Sequence, residues 1–297
     1  SQASRFTGRV EQNWQMTSFS GLTSGMKHDY RIDIPDFDPQ DAQADEAQPQ
    51  QAVASRFSFP RGALAGECLH SILEELDFTQ AIGESAAQMI ARKLEHFGFD
   101  ESWTGVVCEW MQSILDTPLD NDASLNLGMI GNRQRFVEME FHYPLVGLTT
   151  DGLDGILEQL ASFHSDQPRL NFNPVNGMMK GFIDLIFKHQ GRFYVADYKS
   201  NHLGDSFDHY QHEALQSAIG EHRYDLQYLV YTVALHRYLQ QRLPEYNYET
   251  HFGGVYYLFL RGMHREQGAD RGVYYDRPES RLIDQLDRLF AGETARA

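Results

Sequence analysis

Residues 181–201, GFIDLIFKHQGRFYVADYKSN, hold two short apolar runs joined by the turn Lys188–Arg192, and each run carries one acid. Runs of this length, rich in Phe, Ile and Val and split by a turn containing Gly191, predict a β-hairpin over 181–187 and 193–198. Asp184 sits inside GFIDLIF; Asp197 ends FYVAD, and Lys199 follows two residues on. A carboxylate in an apolar strand is costly to desolvate unless a cation or hydrogen bonds meet it. Alternate strand residues share a face, so Asp197 and Lys199 point the same way. Two acids on neighbouring strands with a lysine beside the second suit a hard cation and a phosphodiester. Oxygen ligands hold Mg2+, the cation offsets the phosphate charge, and the lysine orients or helps deprotonate the attacking water. The bland alternative is a turn acid and a surface Asp197–Lys199 ion pair, which the apolar setting of both acids disfavours.

The rest of the chain reads as helices around a small sheet. Leu64, Leu69, Ile72, Leu73 and Leu76 recur at helical spacing after Pro60. ESAAQMIARKLEHFGF (84–99) predicts a second helix and SWTGVVCEWMQSILDTPL (102–119) a third. RFVEMEF (135–141) alternates as a strand. A short helix is expected around Leu153 to Phe163, followed by an irregular Asn- and Gly-rich stretch up to residue 180. After the hairpin come a long amphipathic helix over 223–243, a strand over 253–263 and a final helix over 280–292. WQMTSFSGL (14–22) reads as a strand or turn. Residues 35–54 are acidic, rich in Pro, Gln and Ala, and read as a disordered loop. The expected fold class is α/β, a small mixed sheet flanked by helices.

Three further positions bear on the site. Gly66, His70 and Glu74 fall at i, i+4 and i+8 on roughly one helix face; a lone helical histidine is by itself more often a packing residue than a ligand. Gln227 and Tyr231 sit four apart on the long helix, either as DNA contacts or as part of a packed stripe with Leu226, Val230 and Leu235. Glu138 and Glu140 share one strand face, and either is placed to be a third carboxylate.

Composition sets the frame for partners. The 297 residues carry a net charge of -17, from 42 acids against 25 Lys and Arg. A free-standing DNA-binding protein usually carries a basic footprint, so DNA, if it is the substrate, is held mainly elsewhere. Two cysteines form neither a disulfide framework nor a zinc CxxC pair and point to a reducing cytoplasm. No signal peptide and no apolar run of membrane-spanning length is present. No GxxxxGK[ST] loop is present either, so no ATP site of that kind is expected.

The Asp184…Asp197-x-Lys199 spacing is the pattern of the PD-(D/E)xK nuclease core. The chain resembles, more narrowly, the C-terminal nuclease domain of the exodeoxyribonuclease V beta subunit, the RecB type of the RecBCD helicase–nuclease. TSFSGL (17–22), FPRGALAGECLHSILEELDFTQ (59–80), MKGFIDLIFKHQGRFYVADYKSNHLG (179–204), HRYDLQYLVYTVALHRYL (222–239) and HFGGVYYLFLRGM (251–263) carry the resemblance. It implies a restriction-endonuclease-like core with extra N-terminal helices. It implies His70, Asp184, Asp197 and the Tyr198 carbonyl as metal ligands, Lys199 as the catalytic lysine, and Gln227 and Tyr231 as its QxxxY motif. Glu138 is the best match to an extra acidic residue, with Glu140 close by. The implied activity is Mg2+-dependent cleavage of single strands and duplex ends, with Mn2+ able to substitute. The implied partners are DNA, RecC and RecD, and RecA through a loading role that a non-catalytic docking module would also fill. On this view 1–297 is a single nuclease domain, 1–12 are linker residues, and the helicase domains lie outside the chain.

Overall fold

A computed structural model describes residues 14–24, 54–158 and 169–293. The expected linker 1–12 and residues 35–53 of the expected acidic loop lie outside these, as do residues 159–163 of the short helix around Leu153.

Among the described residues six strands form one mixed sheet: β1 (Trp14–Thr17), β2 (Arg135–Leu148), β3 (Val175–His189), β4 (Arg192–Lys199), β5 (Phe252–Phe259) and β6 (Val273–Asp276). The helices are α1 (Phe19–Thr23), α2 (Ala63–Glu75), α3 (Glu84–His96), α4 (Thr104–Asp116), α5 (Thr150–Leu157), α6 (His212–Glu221), α7 (Tyr224–Arg242), α8 (Tyr248–His251) and α9 (Ser280–Phe290). No described helix is long and apolar enough to cross a membrane.

The long strand β3 organises the sheet. β2 pairs antiparallel along one edge, from Val175 to Phe187. The other edge changes partner: β1 runs parallel to residues 176–179, and β4 runs antiparallel to residues 185–189. β3 therefore begins at Val175, not at Gly181 as the irregular Asn- and Gly-rich sequence suggested. Its glycines serve close packing, since a Cβ on Gly181 would meet the Phe141 ring at 2.5 Å. The parallel pair β4–β5 is joined through α6 and α7, and β6 closes the far edge antiparallel to β5. Every residue of β5 is buried, as a strand covered on both faces requires. Neither α6 nor the four-residue β6 was expected from the sequence.

Two apolar cores sandwich the sheet. Leu69, Ile72, Ile90, Trp110 and Ile114 of α2–α4 pack with Leu185, Phe187, Ala196 and Tyr198 on one face. Leu226, Leu229, Val230, Val233 and Ile283 of α7 and α9 pack with Ile186, Val195, Val255 and Tyr257 on the other. Val195 and Ala196 go to opposite cores, as strand alternation demands. The expected amphipathic helix 223–243 is instead buried around its circumference, at every residue from Tyr224 to His236. Its polar residues mimic a wet face but are satisfied internally. Asp225 pairs with Arg223, Thr232 bonds the Tyr228 carbonyl, and His236 bonds the Tyr246 hydroxyl.

Buried Arg261 ties the two layers together. Its guanidinium donates to the carbonyls of Arg56, Phe59 and Pro60 ahead of α2, and to Ser200 just past β4. The start of the His70 helix is thereby fixed against the end of the Lys199 strand.

Candidate active site

The candidate site lies where β3 and β4 part. The last ladder pair is Leu185 with Ala196. One step further on, the Asp184 side chain replaces the ladder: its Oδ2 accepts the Tyr198 amide at 2.8 Å. The opening leaves the Tyr198 carbonyl to another partner, and His70 Nε2 from α2 lies 3.0 Å from it. His70 Nδ1 lies 3.5 Å from Asp184 Oδ2. The resemblance-based set His70, Asp184 and Tyr198 is thus brought together.

Asp197 and Lys199 share a face, as strand parity predicted. Lys199 Nζ lies 2.7 Å from Asp197 Oδ2, and both residues are buried, at 6% and 3% exposure. Burial pushes the Asp197 carboxyl up to about 7; Lys199 opposes this and the charge of Asp184 adds to it. Burial pulls the His70 imidazole down to about 4, against the charge of Asp197. His70 is therefore neutral at pH 7 and in the form that ligates metals.

Glu138 and Glu140, equivalent in sequence, separate in the structure. Glu140 forms an ion pair with Lys180 at 3.0 Å and lies 3.2 Å from His142 Nε2. Glu138 has a left-handed backbone, φ 48°, and lies between the flanking pairs Val137–Leu185 and Met139–Ile183, opposite Asp184. Burial raises the pKa of Glu74 on α2, one turn past His70, and the nearby charge of Glu138 raises it further.

Gln227 and Tyr231 do not face outward for DNA. Both are 1% exposed, on the α7 face that covers Lys199. Gln227 Oε1 accepts from Lys199 Nζ at 2.9 Å and from Tyr257 at 2.9 Å, while Gln227 Nε2 donates to Tyr231 at 3.0 Å. Their place is behind the lysine, on the packed face of α7. Tyr224 and Tyr257, whose rings flank Lys199, went unnoticed in the sequence because aromatics in apolar runs read as core. The signal that finds Tyr257 is the β4–β5 register, which sets it opposite Asp197.

The donor chemistry fits a divalent cation. A neutral imidazole has one N–H, yet oxygens face both His70 nitrogens, so one nitrogen turns a lone pair to an oxygen whichever tautomer is present. Asp197 Oδ2 is buried and takes no hydrogen bond besides the charged contact with Lys199. A cation relieves both. The set mixes side chains with a main-chain carbonyl; among the described residues no three His, Cys, Asp or Glu side chains form a metal cluster on their own.

Comparison with known proteins gives the family. The family model described as the PD-(D/E)XK nuclease superfamily matches residues 46–297. RecBCD enzyme subunit RecB of Escherichia coli is 42% identical over 288 residues, covering 95% of this chain and 24% of the relative. The same subunit of Haemophilus influenzae is 36% identical, covering 97% of this chain and 24% of the relative. That of Mycobacterium tuberculosis is 31% identical, covering 96% and 29%. The chain spans about a quarter of the length of the relatives it matches.

Proposed function

This chain belongs to the PD-(D/E)XK nuclease superfamily, and from that membership we propose that it hydrolyses DNA phosphodiester bonds with Mg2+, or Mn2+ in its place, as the nuclease domain of a RecBCD-type enzyme. The observation that carries the reading is the contact of Asp184 and His70 with the Tyr198 main chain at the β3–β4 opening, with Lys199 in contact with the adjacent Asp197. His70, Asp184, Asp197 and the Tyr198 carbonyl would hold the ion. A divalent ion bound there supplies charge neutralisation at the phosphate and acidifies water.

The chain's own residues do the rest. Lys199 holds or moves a proton at the attacking water, and Asp197 fixes the ammonium beside the cleavage point. Gln227 supports the lysine from behind, and the packed face of α7 keeps bulk water from that side. Asp184 holds the Tyr198 amide and so sets the direction of the Tyr198 carbonyl. Manganese fits as a substitute because one donor is an imidazole, a softer ligand than magnesium prefers.

Substrates are read as single strands and duplex ends, and the partners as RecC and RecD, with which the charge of -17 agrees. DNA delivery then falls to other domains and subunits, and this chain binds DNA weakly and in a salt-sensitive way. A purely docking role in loading RecA is disfavoured by the joint presence of Asp184, Asp197 and Lys199, which docking alone does not need.

The test is Mg2+ titration with a single-stranded DNA circle, comparing the chain with Asp197→Ala. Cleavage should rise with the metal and fall by roughly a thousandfold in the variant. Equal cutting by both proteins overturns the reading.

A further inference from the structure

The Lys199 ammonium sits in a pocket built by residues outside the metal-donor set. Its Nζ lies 3.9 Å from the centroid of the Tyr224 ring and 5.1 Å from that of Tyr257, positions in which an aromatic face attracts a cation. Gln227 Oε1 completes the enclosure at 2.9 Å.

An amide can present either its oxygen or its nitrogen to a neighbour, and only one orientation suits an ammonium. Here the oxygen has two donors, Lys199 Nζ and the Tyr257 hydroxyl, and the nitrogen has one acceptor, the Tyr231 hydroxyl. Both acceptor positions of Oε1 are therefore used. Turning the amide over would set N–H groups against an ammonium. Tyr257 is itself held firmly. Its backbone registers with Asp197 in the parallel ladder, and its ring packs on Tyr224 at 5.6 Å and Tyr228 at 5.9 Å. A rigid phenol on β5 thus anchors a flexible amide on α7.

We propose that Tyr257 is a positioning residue of the nuclease reaction: its hydroxyl fixes the Gln227 amide, and the amide fixes the Lys199 ammonium beside Asp197. The proposal rests on the reading of Lys199 as the catalytic lysine. The Tyr257 hydroxyl bonds Gln227, so the effect of removing it runs through the amide, while the ring kept in Tyr257→Phe still flanks the lysine. A hydroxyl that merely fills a buried site would affect folding alone. One that sets the lysine affects turnover and has no effect once Gln227 is gone.

The experiment is a double-mutant cycle on the full chain, cutting a single-stranded DNA circle at saturating Mg2+. Tyr257→Phe keeps the ring and removes the hydroxyl. It should lower kcat about tenfold, the size expected for one buried hydrogen bond, and leave KM for DNA within about twofold. In a Gln227→Ala background the same change should alter kcat by less than about twofold. Wild-type kcat in Tyr257→Phe overturns the proposal, and so do losses that multiply in the double variant. The cycle is read in the Gln227→Ala background even if Tyr257→Phe alone melts early, because a structural defect persists there and a positioning defect does not. Lys199→Ala serves as the separate arm. Wild-type cutting by that variant sinks the nuclease reading beneath the proposal, whereas loss of cutting there with no effect of Tyr257→Phe sinks the proposal alone.

Discussion

Glu138 stands across the β2–β3 ladder from Asp184, and it reaches that place with a left-handed backbone. Such a conformation costs an L-residue about 1–2 kcal/mol, and strain of this kind concentrates at functional sites. Glu138→Gly should therefore raise stability by about 0.5–1 kcal/mol in denaturant melts, helped by removal of a like charge near Glu74. The same variant should cut DNA at least about tenfold more slowly. Glu140→Gln, altered at an ion-paired glutamate, should stay within about twofold of the parent. Equal rates for the two variants would remove Glu138 from the site.

The metal-free protein should lose stability as pH rises, through Asp197. A carboxyl raised to about 7 in the fold is protonated there when the unfolded chain has already released its proton. Its contribution is full below the unfolded value near 4 and is lost as pH climbs through 7. Asp197→Asn removes this dependence. Between about pH 5 and 8 the stability difference, variant minus parent, should grow by roughly 2 kcal/mol in EDTA-containing urea melts. A flat difference across that range would show that Asp197 is not a desolvated acid. His70 acts at the other end. Its lowered value means that stability present above about 6.5 is lost as pH falls through 4.

Replacing His70 should change metal affinity more than chemistry. The imidazole lies against the Tyr198 carbonyl and Asp184, while the Lys199 ammonium contacts Asp197. His70→Ala should raise the Mg2+ midpoint for cleavage by about 10–100-fold, with much of the rate restored at high metal. Isothermal titration with Mn2+ gives a direct reading. An unchanged midpoint would mean that the imidazole is a packing group.

Arg261 should be a stability residue with a catalytic consequence. Arg261→Met preserves much of the apolar stem but leaves the carbonyls of Arg56, Phe59, Pro60 and Ser200 without their shared donor. The cost should be about 3 kcal/mol, since several buried acceptors are left unsatisfied together. Denaturant midpoints check this, and a loss below about 1 kcal/mol would show that water replaces the guanidinium.

The hairpin was legible from sequence because its chemistry is local. Two apolar runs, a turn and period-two parity were enough to put Asp197 and Lys199 on one face, and the structure places them in contact. His70 was legible only through resemblance, since nothing in a lone helical histidine says which strand its helix will cross. The separation of Glu138 from Glu140 was hidden because it depends on one backbone angle in an otherwise regular strand. For Gln227 the sequence left DNA contact and packing open, because a polar residue on a helix fits a wet face as well as a buried partner. The lysine, tyrosines and arginine that satisfy α7 from within come from β4, β5 and the α7 start, contacts that periodicity does not report. The short β6 failed for a simpler reason: four residues hold too little pattern to distinguish a strand from a loop.

On the proposed role of Lys199, its enclosure also bears on the speed of the reaction. An ammonium in open water must shed and reorder its hydration shell each time it meets a new phosphate. In this fold the shell is already replaced by a carboxylate, an amide oxygen and two aromatic faces. The solvent reorganisation of that ammonium is completed once, during folding, and is not repeated in every turnover.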